Sequence, residues 1–352
     1  MIKKMLVPGV VVLALSLAAS ASAYNTRGKW ASSRVTMRAS QQSFPAGSAF
    51  RTSLTNVIAR FNQNPSNQSF AMVWDDTATA LGNRESEVWF STDSQYNPAV
   101  TYWWITSSGT IVEADVIFYS AVNWTASMNK TSLITYGGSG RPFETTAMHE
   151  FGHAAGLRHE EGEYNMMGQD WTHIHLNGLT CRSYLGEDAS TGLVALYGSY
   201  SLGVREDVST THMKYRSPSG EYSTHQLGSV LTAAGAVPAY ATFEGQRRFA
   251  VTRGQSFQFE FTFENLGEST RPVSVGYYLS TDSTIATTDR RLATRAVTLA
   301  REDVDTLKQS LVIPTDLVAG RTYWVGAIVD WDNVLVEVDA NNNAAHHTVL
   351  VN

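Results

Sequence analysis

The stretch "AMHEFGHAAGLRHEEGEYNMMG", Ala147 to Gly168, sets three of the chain's nine histidines around one glutamate and one glycine. His149 and His153 stand at i and i+4, so on a helix they share a face and can present two imidazoles to one ion. Glu150 follows the first ligand. It sits beside the metal without having to bind it, where it can accept a proton from metal-bound water. Gly156 lets the chain leave the helix through positive φ, and that turn brings His159 back to the same ion. Three neutral imidazoles leave a fourth tetrahedral position for water, which a catalytic zinc needs and a closed structural zinc lacks. Five fixed residues of uncommon type match by chance on the order of once in a hundred thousand chains of this length.

Working outward from this helix, "RPFETTAMHEFGHAAGL" reads as one element with Pro142 near its start and Gly156 at its end. Upstream, "RVTMRAS" reads as a strand. "AGSAFRTSLTNVIARFNQNP" carries Phe50, Leu54, Val57, Ile58 and Phe61 at helical spacing. "SFAMVWDD", "SEVWFST", "AVTYWWIT" and "TIVEADVIFYS" read as successive strands rich in aromatic and β-branched residues. A last helix, "GEDASTGLVALYG", closes this half, with Asp188 or Ser190 as its expected cap. From about Val204 the pattern changes to short strands between turn residues, such as "SFQFEFTFENLG" and "TYWVGAIVDWD". That is the pattern of an all-β sandwich.

A length of 352 residues suggests two domains, and 43% hydrophobic with 16% charged residues is a globular composition. The N-terminus, "MIKKMLVPGVVVLALSLAASASAYN", has two lysines, a short apolar run and the small-residue stretch Ala21, Ser22, Ala23. This predicts a signal peptide over residues 1–23, a mature chain from Tyr24 and a secreted or extracellular protein, with periplasm or cell surface as variants. No later stretch is long and apolar enough to span a bilayer. The net charge of −6 and the lack of a basic stripe argue against nucleic acid. Cys181 is the one cysteine, so no disulfide staples the fold, and it reads as a small buried hydrophobe.

"HEFGHAAGLRH" followed by "NMMG" resembles the metzincin metallopeptidases, and among them the matrixins. The resemblance implies that His149, His153 and His159 bind one catalytic Zn²⁺ and that Glu150 is the general base. It also implies that Met167, rather than Met166, is the methionine of the tight turn beneath the metal. It implies an α+β catalytic domain over residues 24–200, a twisted mixed sheet with an active-site helix and a C-terminal helix. "TYWWIT" becomes the edge strand that pairs with an extended peptide substrate. The chain departs from the pattern in having no cysteine upstream of His149 for latency and no upstream histidines for a second zinc. No tyrosine follows Met167 as an extra ligand. A structural Ca²⁺ is compatible with the resemblance, without a place for it.

Downstream, "YLSTD", "GAIVD" and the Glu-x-Asp-x-Asn-Asn run resemble the CARDB domain, an immunoglobulin-like sandwich, over residues 248–352. Residues 201–247 are expected to form a junction with extra strands. Asp282, Asp289, Asp330, Asp332, Glu337 and Asp339 crowd its expected loop ends; turn chemistry is the favoured reading and a calcium site the other. The half reads as an accessory module for cell-surface or matrix docking. His173 and His175 in "DWTHIH" fall on one side of an extended segment and read as polar residues on a loop face, with a cleft wall or a proton donor near the substrate as the alternative.

The expected function is a secreted zinc endopeptidase acting on protein or peptide. The alternatives are a secreted adhesin or binding protein with a structural or degenerate zinc site, and a zinc amidase acting on a cell-wall cross-link.

Overall fold

A computed structural model describes residues 24–160, 162–168, 173–219, 222–301 and 303–352. The expected signal peptide, residues 1–23, lies outside them. Among the described residues, no helix is long and apolar enough to cross a membrane.

The first half is built on strands β1 (Arg34–Ser40), β2 (Ser69–Asp76), β3 (Glu87–Ser91), β4 (Ala99–Ile105) and β5 (Thr110–Tyr119). Their order across the sheet is β2-β1-β3-β5-β4. The first four run parallel, and β4 lies antiparallel on β5 at the edge. Helix α1 (Ala49–Phe61) starts where the Ser48 hydroxyl accepts the Arg51 amide, and it buries Leu54, Val57, Ile58 and Phe61. Helix α2 (Phe143–Ala154) is buried along its whole length. Its first turn is pinned by Phe143, whose ring meets Phe118 at 4.8 Å and Phe50 at 5.3 Å. Glu144 adds an ion pair to Arg60 of α1 and accepts the Ser53 hydroxyl at 3.3 Å.

Helix α3 (Glu187–Tyr197) differs from expectation at its start. Neither Asp188 nor Ser190 is the cap. The N-cap is Gly186 at φ +86°, so both residues fall inside the helix. A glycine at that φ turns the chain sharply enough to begin the helix earlier than a side-chain cap would.

A short hairpin, β6 (His175–Asn177) and β7 (Thr180–Arg182), follows α2 in the chain. The second half is a two-sheet sandwich. One sheet centres on β12 (Ser256–Asn265), with β8 (Val208–Thr211) and β9 (Val230–Thr232) along one edge and β15 (Val304–Val312) along the other. The other sheet contains β10 (Tyr240–Phe243), β11 (Gln246–Val251), β13 (Arg271–Ser280), β14 (Arg290–Leu299), β16 (Thr322–Val329) and β17 (Ala344–Val351), in the order β10-β11-β17-β16-β13-β14. Phe257, Phe259, Phe261 and Phe263 of β12 are buried among Val275, Val325 and Val349 of the facing sheet. Between β8 and β9 runs a hairpin of Met213–Ser219 with Tyr222–Leu227. The two halves touch through many polar contacts. Among them are Lys130 Nζ to Gln246 at 2.8 Å, Tyr184 to Asp339 at 3.0 Å and Ile285 N to Asn177 at 2.7 Å.

Candidate metal centre

One turn of α2 separates His149 from His153, and the chain after Gly156 folds back so that His159 meets both. One ligand-type nitrogen from each ring lies within 4.8 Å of the other two. His153 Nε2 and His159 Nε2 are 3.1 Å apart. That is close to the roughly 3.3 Å kept by two nitrogens about 2.0 Å from one tetrahedral ion.

The tautomers follow from the partners. His149 Nδ1 lies 2.8 Å from the Met166 carbonyl, and His153 Nδ1 lies 2.8 Å from the Leu157 carbonyl. A carbonyl only accepts, so each Nδ1 carries the proton and each Nε2 keeps its lone pair. Burial, reinforced by the neighbouring His159, pushes His149 down to about 3. Burial and the two other rings hold His153 well below the usual histidine range. Both are therefore neutral near pH 7 and able to donate to a cation. The set could hold a divalent metal ion.

Gly156 has φ +100°, and a Cβ there would lie 2.1 Å from the Gly28 carbonyl oxygen. The N-terminal segment occupies that space. It bonds Arg27 N to Gly156 O and Arg158 N to Asn25 O, both at 2.8 Å, and so clamps the turn that delivers His159. On the other side, Met166 supplies the carbonyl that orients His149. Met167 puts its sulfur against α2, 2.4 Å from where a Cβ on Gly152 would stand. Both methionines of "NMMG" are thus engaged.

The end of a helix leaves carbonyls without intrahelical donors. Here the oxygens of His153, Ala154 and Ala155 accept from Trp103 Nε1 (2.7 Å), Trp30 Nε1 (2.8 Å) and Tyr197 OH (2.7 Å). These three aromatic residues escaped the sequence reading because no spacing rule links them to the helix. Thr101 of β4 also escaped it. Its hydroxyl donates to Glu150 Oε2 at 2.7 Å and ties the carboxylate to the edge strand.

Other expectations are corrected or sorted. His173 and His175 do not lie on a loop face: they are 0% and 3% exposed, because β6 is covered by the sandwich. Cys181 is buried, and burial pushes its thiol up to about 12, as suits a packing residue. The acidic residues at the sandwich loop ends do not group around a cation position among the described residues. Asp282 accepts the Thr284 amide, Asp289 that of Ala286, Asp330 those of Val334 and Leu335, and Asp339 that of Asn341. That is turn chemistry.

No family model matches the chain, and no curated protein matches it. Among solved structures, it is similar to the CARDB domain of a Pyrococcus furiosus protein. The crystal structure of that domain, in complex with di-metal ions, is 17% identical, and the match covers 42% of this chain and 90% of that one, with a TM-score of 0.26. The solution structure of the same domain is 20% identical over 42% and 95%, again with a TM-score of 0.26. A β-glucosidase from Listeria innocua in complex with glucose is 14% identical over 37% and 17%, at 0.21. Likenesses this loose say nothing about the chemistry of this chain.

Proposed function

We propose that this chain is a secreted zinc endopeptidase, matrixin-like in its first half. The observation that carries the reading is the convergence of three imidazoles, two of them buried and fixed as Nδ1–H tautomers by backbone carbonyls and the third half-buried, next to a carboxylate that is not among them. His149, His153 and His159 would hold the zinc, which supplies Lewis acidity toward a carbonyl and an acidified water. Glu150 takes a proton from water and returns it to the leaving amine; such a group contributes about 10²–10⁴-fold. The Thr101 hydroxyl keeps the Glu150 carboxylate in place. A structural metal site has no use for a carboxylate held this way, which disfavours the purely adhesive reading.

The substrate enters along β4. Its inner edge pairs with β5, and no described strand pairs with its outer edge. An extended peptide laid there gains main-chain hydrogen bonds that do not depend on sequence. The sandwich then serves as a docking module.

The test is zinc content together with cleavage of casein, with and without a chelator. Cleavage that is lost on chelation and restored by zinc supports the reading. A zinc-replete protein that leaves casein and gelatin intact but opens cell-wall cross-links would replace it with the amidase, and one inert to both would sink the enzymatic reading.

A further inference from the structure

We propose that His173, His175 and Glu264 form a second, buried site for a zinc-class divalent ion, one that fastens the two halves of the chain together. His173 and His175 come from the segment that enters β6, and Glu264 comes from β12 of the sandwich. One ligand atom from each lies within 4.8 Å of the other two. His175 Nε2 is 3.3 Å from Glu264 Oε2, and His173 Nε2 is 3.9 Å from Glu264 Oε1. Donor atoms around a tetrahedral zinc stand roughly 3.3–3.5 Å apart. The His175–Glu264 pair already has that spacing, and the His173–Glu264 pair reaches it with a contraction of about half an ångström.

The hydrogen bonding points the same way. His175 Nδ1 lies 3.2 Å from the Thr210 carbonyl, so it carries the proton, and its Nε2 lone pair faces a carboxylate that only accepts. Glu264 is fully buried and accepts one hydroxyl, Ser209 Oγ at 3.1 Å, on Oε2. Its Oε1, both nitrogens of His173 and Nε2 of His175 have no hydrogen-bond partner among the described residues. Buried polar atoms are rarely left so. A proton on His175 Nε2 would satisfy Oε2 alone and leave His173 and Oε1 as they are. A cation at the centre meets all three side chains at once. The Nδ1–H to carbonyl bond of His175 repeats the arrangement that orients His149 and His153.

The position gives the ion a mechanical role. The His173 ring lies 4.6 Å from that of Tyr164, which precedes the turn carrying Met166 and Met167. A filled site holds β6 to β12 and props the turn under the first centre from behind.

The proposal is independent of the peptidase reading, and one set of proteins separates them. Zinc is counted in the full mature chain after loading and gel filtration, in wild type, in His149→Gln/His159→Gln, and in Glu264→Gln. Two zinc ions in wild type and one in each variant are expected. Cobalt loaded into the His149→Gln/His159→Gln protein should show visible d–d absorption and a shell of two imidazoles by X-ray absorption. One zinc in wild type and none in His149→Gln/His159→Gln overturns the second site while leaving the first intact. One zinc retained in that variant, with no cleavage by wild type, upholds the second site and counts against the peptidase. If Glu264→Gln does not fold, the wild-type and His149→Gln/His159→Gln counts decide alone.

Discussion

Gly156→Ala should cost both stability and metal. Two effects separate cleanly. At φ +100° an L-residue is strained, by roughly 1–2 kcal/mol for left-handed backbone. In addition, the new Cβ would lie 2.1 Å from the Gly28 carbonyl oxygen, and backbone must move because the clashing atom is itself backbone. Moving it breaks Arg27 N–Gly156 O and Arg158 N–Asn25 O, each worth about 0.5–1.5 kcal/mol net. The sum is roughly 2–5 kcal/mol. Gly109→Ala is the control. Gly109 has φ +83° but nothing within 4 Å of its Cβ position, so it should show the strain alone. Urea unfolding of both variants, metal-free, gives the difference, expected at about 1–3 kcal/mol. Displacement of the turn also moves the Leu157 carbonyl that orients His153, and loss of such a partner weakens metal binding about 10–100-fold. Equal destabilisation of the two variants, with unchanged metal affinity, would refute the clamp.

Glu150→Gln should keep full metal content and lose about 10²–10⁴-fold in casein turnover; turnover at the wild-type rate would remove Glu150 from the general-base role. Trp103→Phe deletes the indole donor to the His153 carbonyl and should cost about 0.5–1.5 kcal/mol in urea unfolding; a neutral result would show that water replaces it. His346 and His347 of β17 are held down to about 3 and about 4 by burial. Their folded values lie below the unfolded value near 6.5, so the unfolded chain binds protons first as pH falls. Stability is full above about pH 6.5 and declines toward pH 4 by about 1.4 kcal/mol per unit for each group. His346→Gln/His347→Gln should flatten the thermal midpoint between pH 6.5 and 4.5, and an unchanged slope would count against this assignment.

Local patterns were legible and long-range ones were not. Phe50, Leu54, Val57, Ile58 and Phe61 mark α1 because helical spacing is a local signal. His149, His153 and His159 are readable because one helix and one glycine turn bring them together. Strands β1 and β2 coincide with the apolar and β-branched runs that name them. The start of α3 was misplaced because a glycine at positive φ outranked two good capping residues. His173 and His175 looked exposed because their cover, including Glu264, comes from a strand far along the chain. Trp30, Trp103 and Tyr197 reach the end of α2 from three separate elements, and only tertiary packing brings them there. Strands β10, β11 and β14 went unread because mixed polar runs such as "QRRFAV" carry little alternation.

The open edge of β4 has a consequence for how the protein behaves in bulk. Its sequence, "AVTYWWI", holds no charge and no proline, the two devices by which solvent-facing strand edges discourage a second strand. An edge that accepts any extended backbone also accepts the edge of another copy. On the peptidase reading proposed above, self-association and an extended substrate compete for one strip of hydrogen-bonding groups. Specific activity is expected to fall as protein concentration rises, and a saturating peptide should return dimers to monomers on a sizing column.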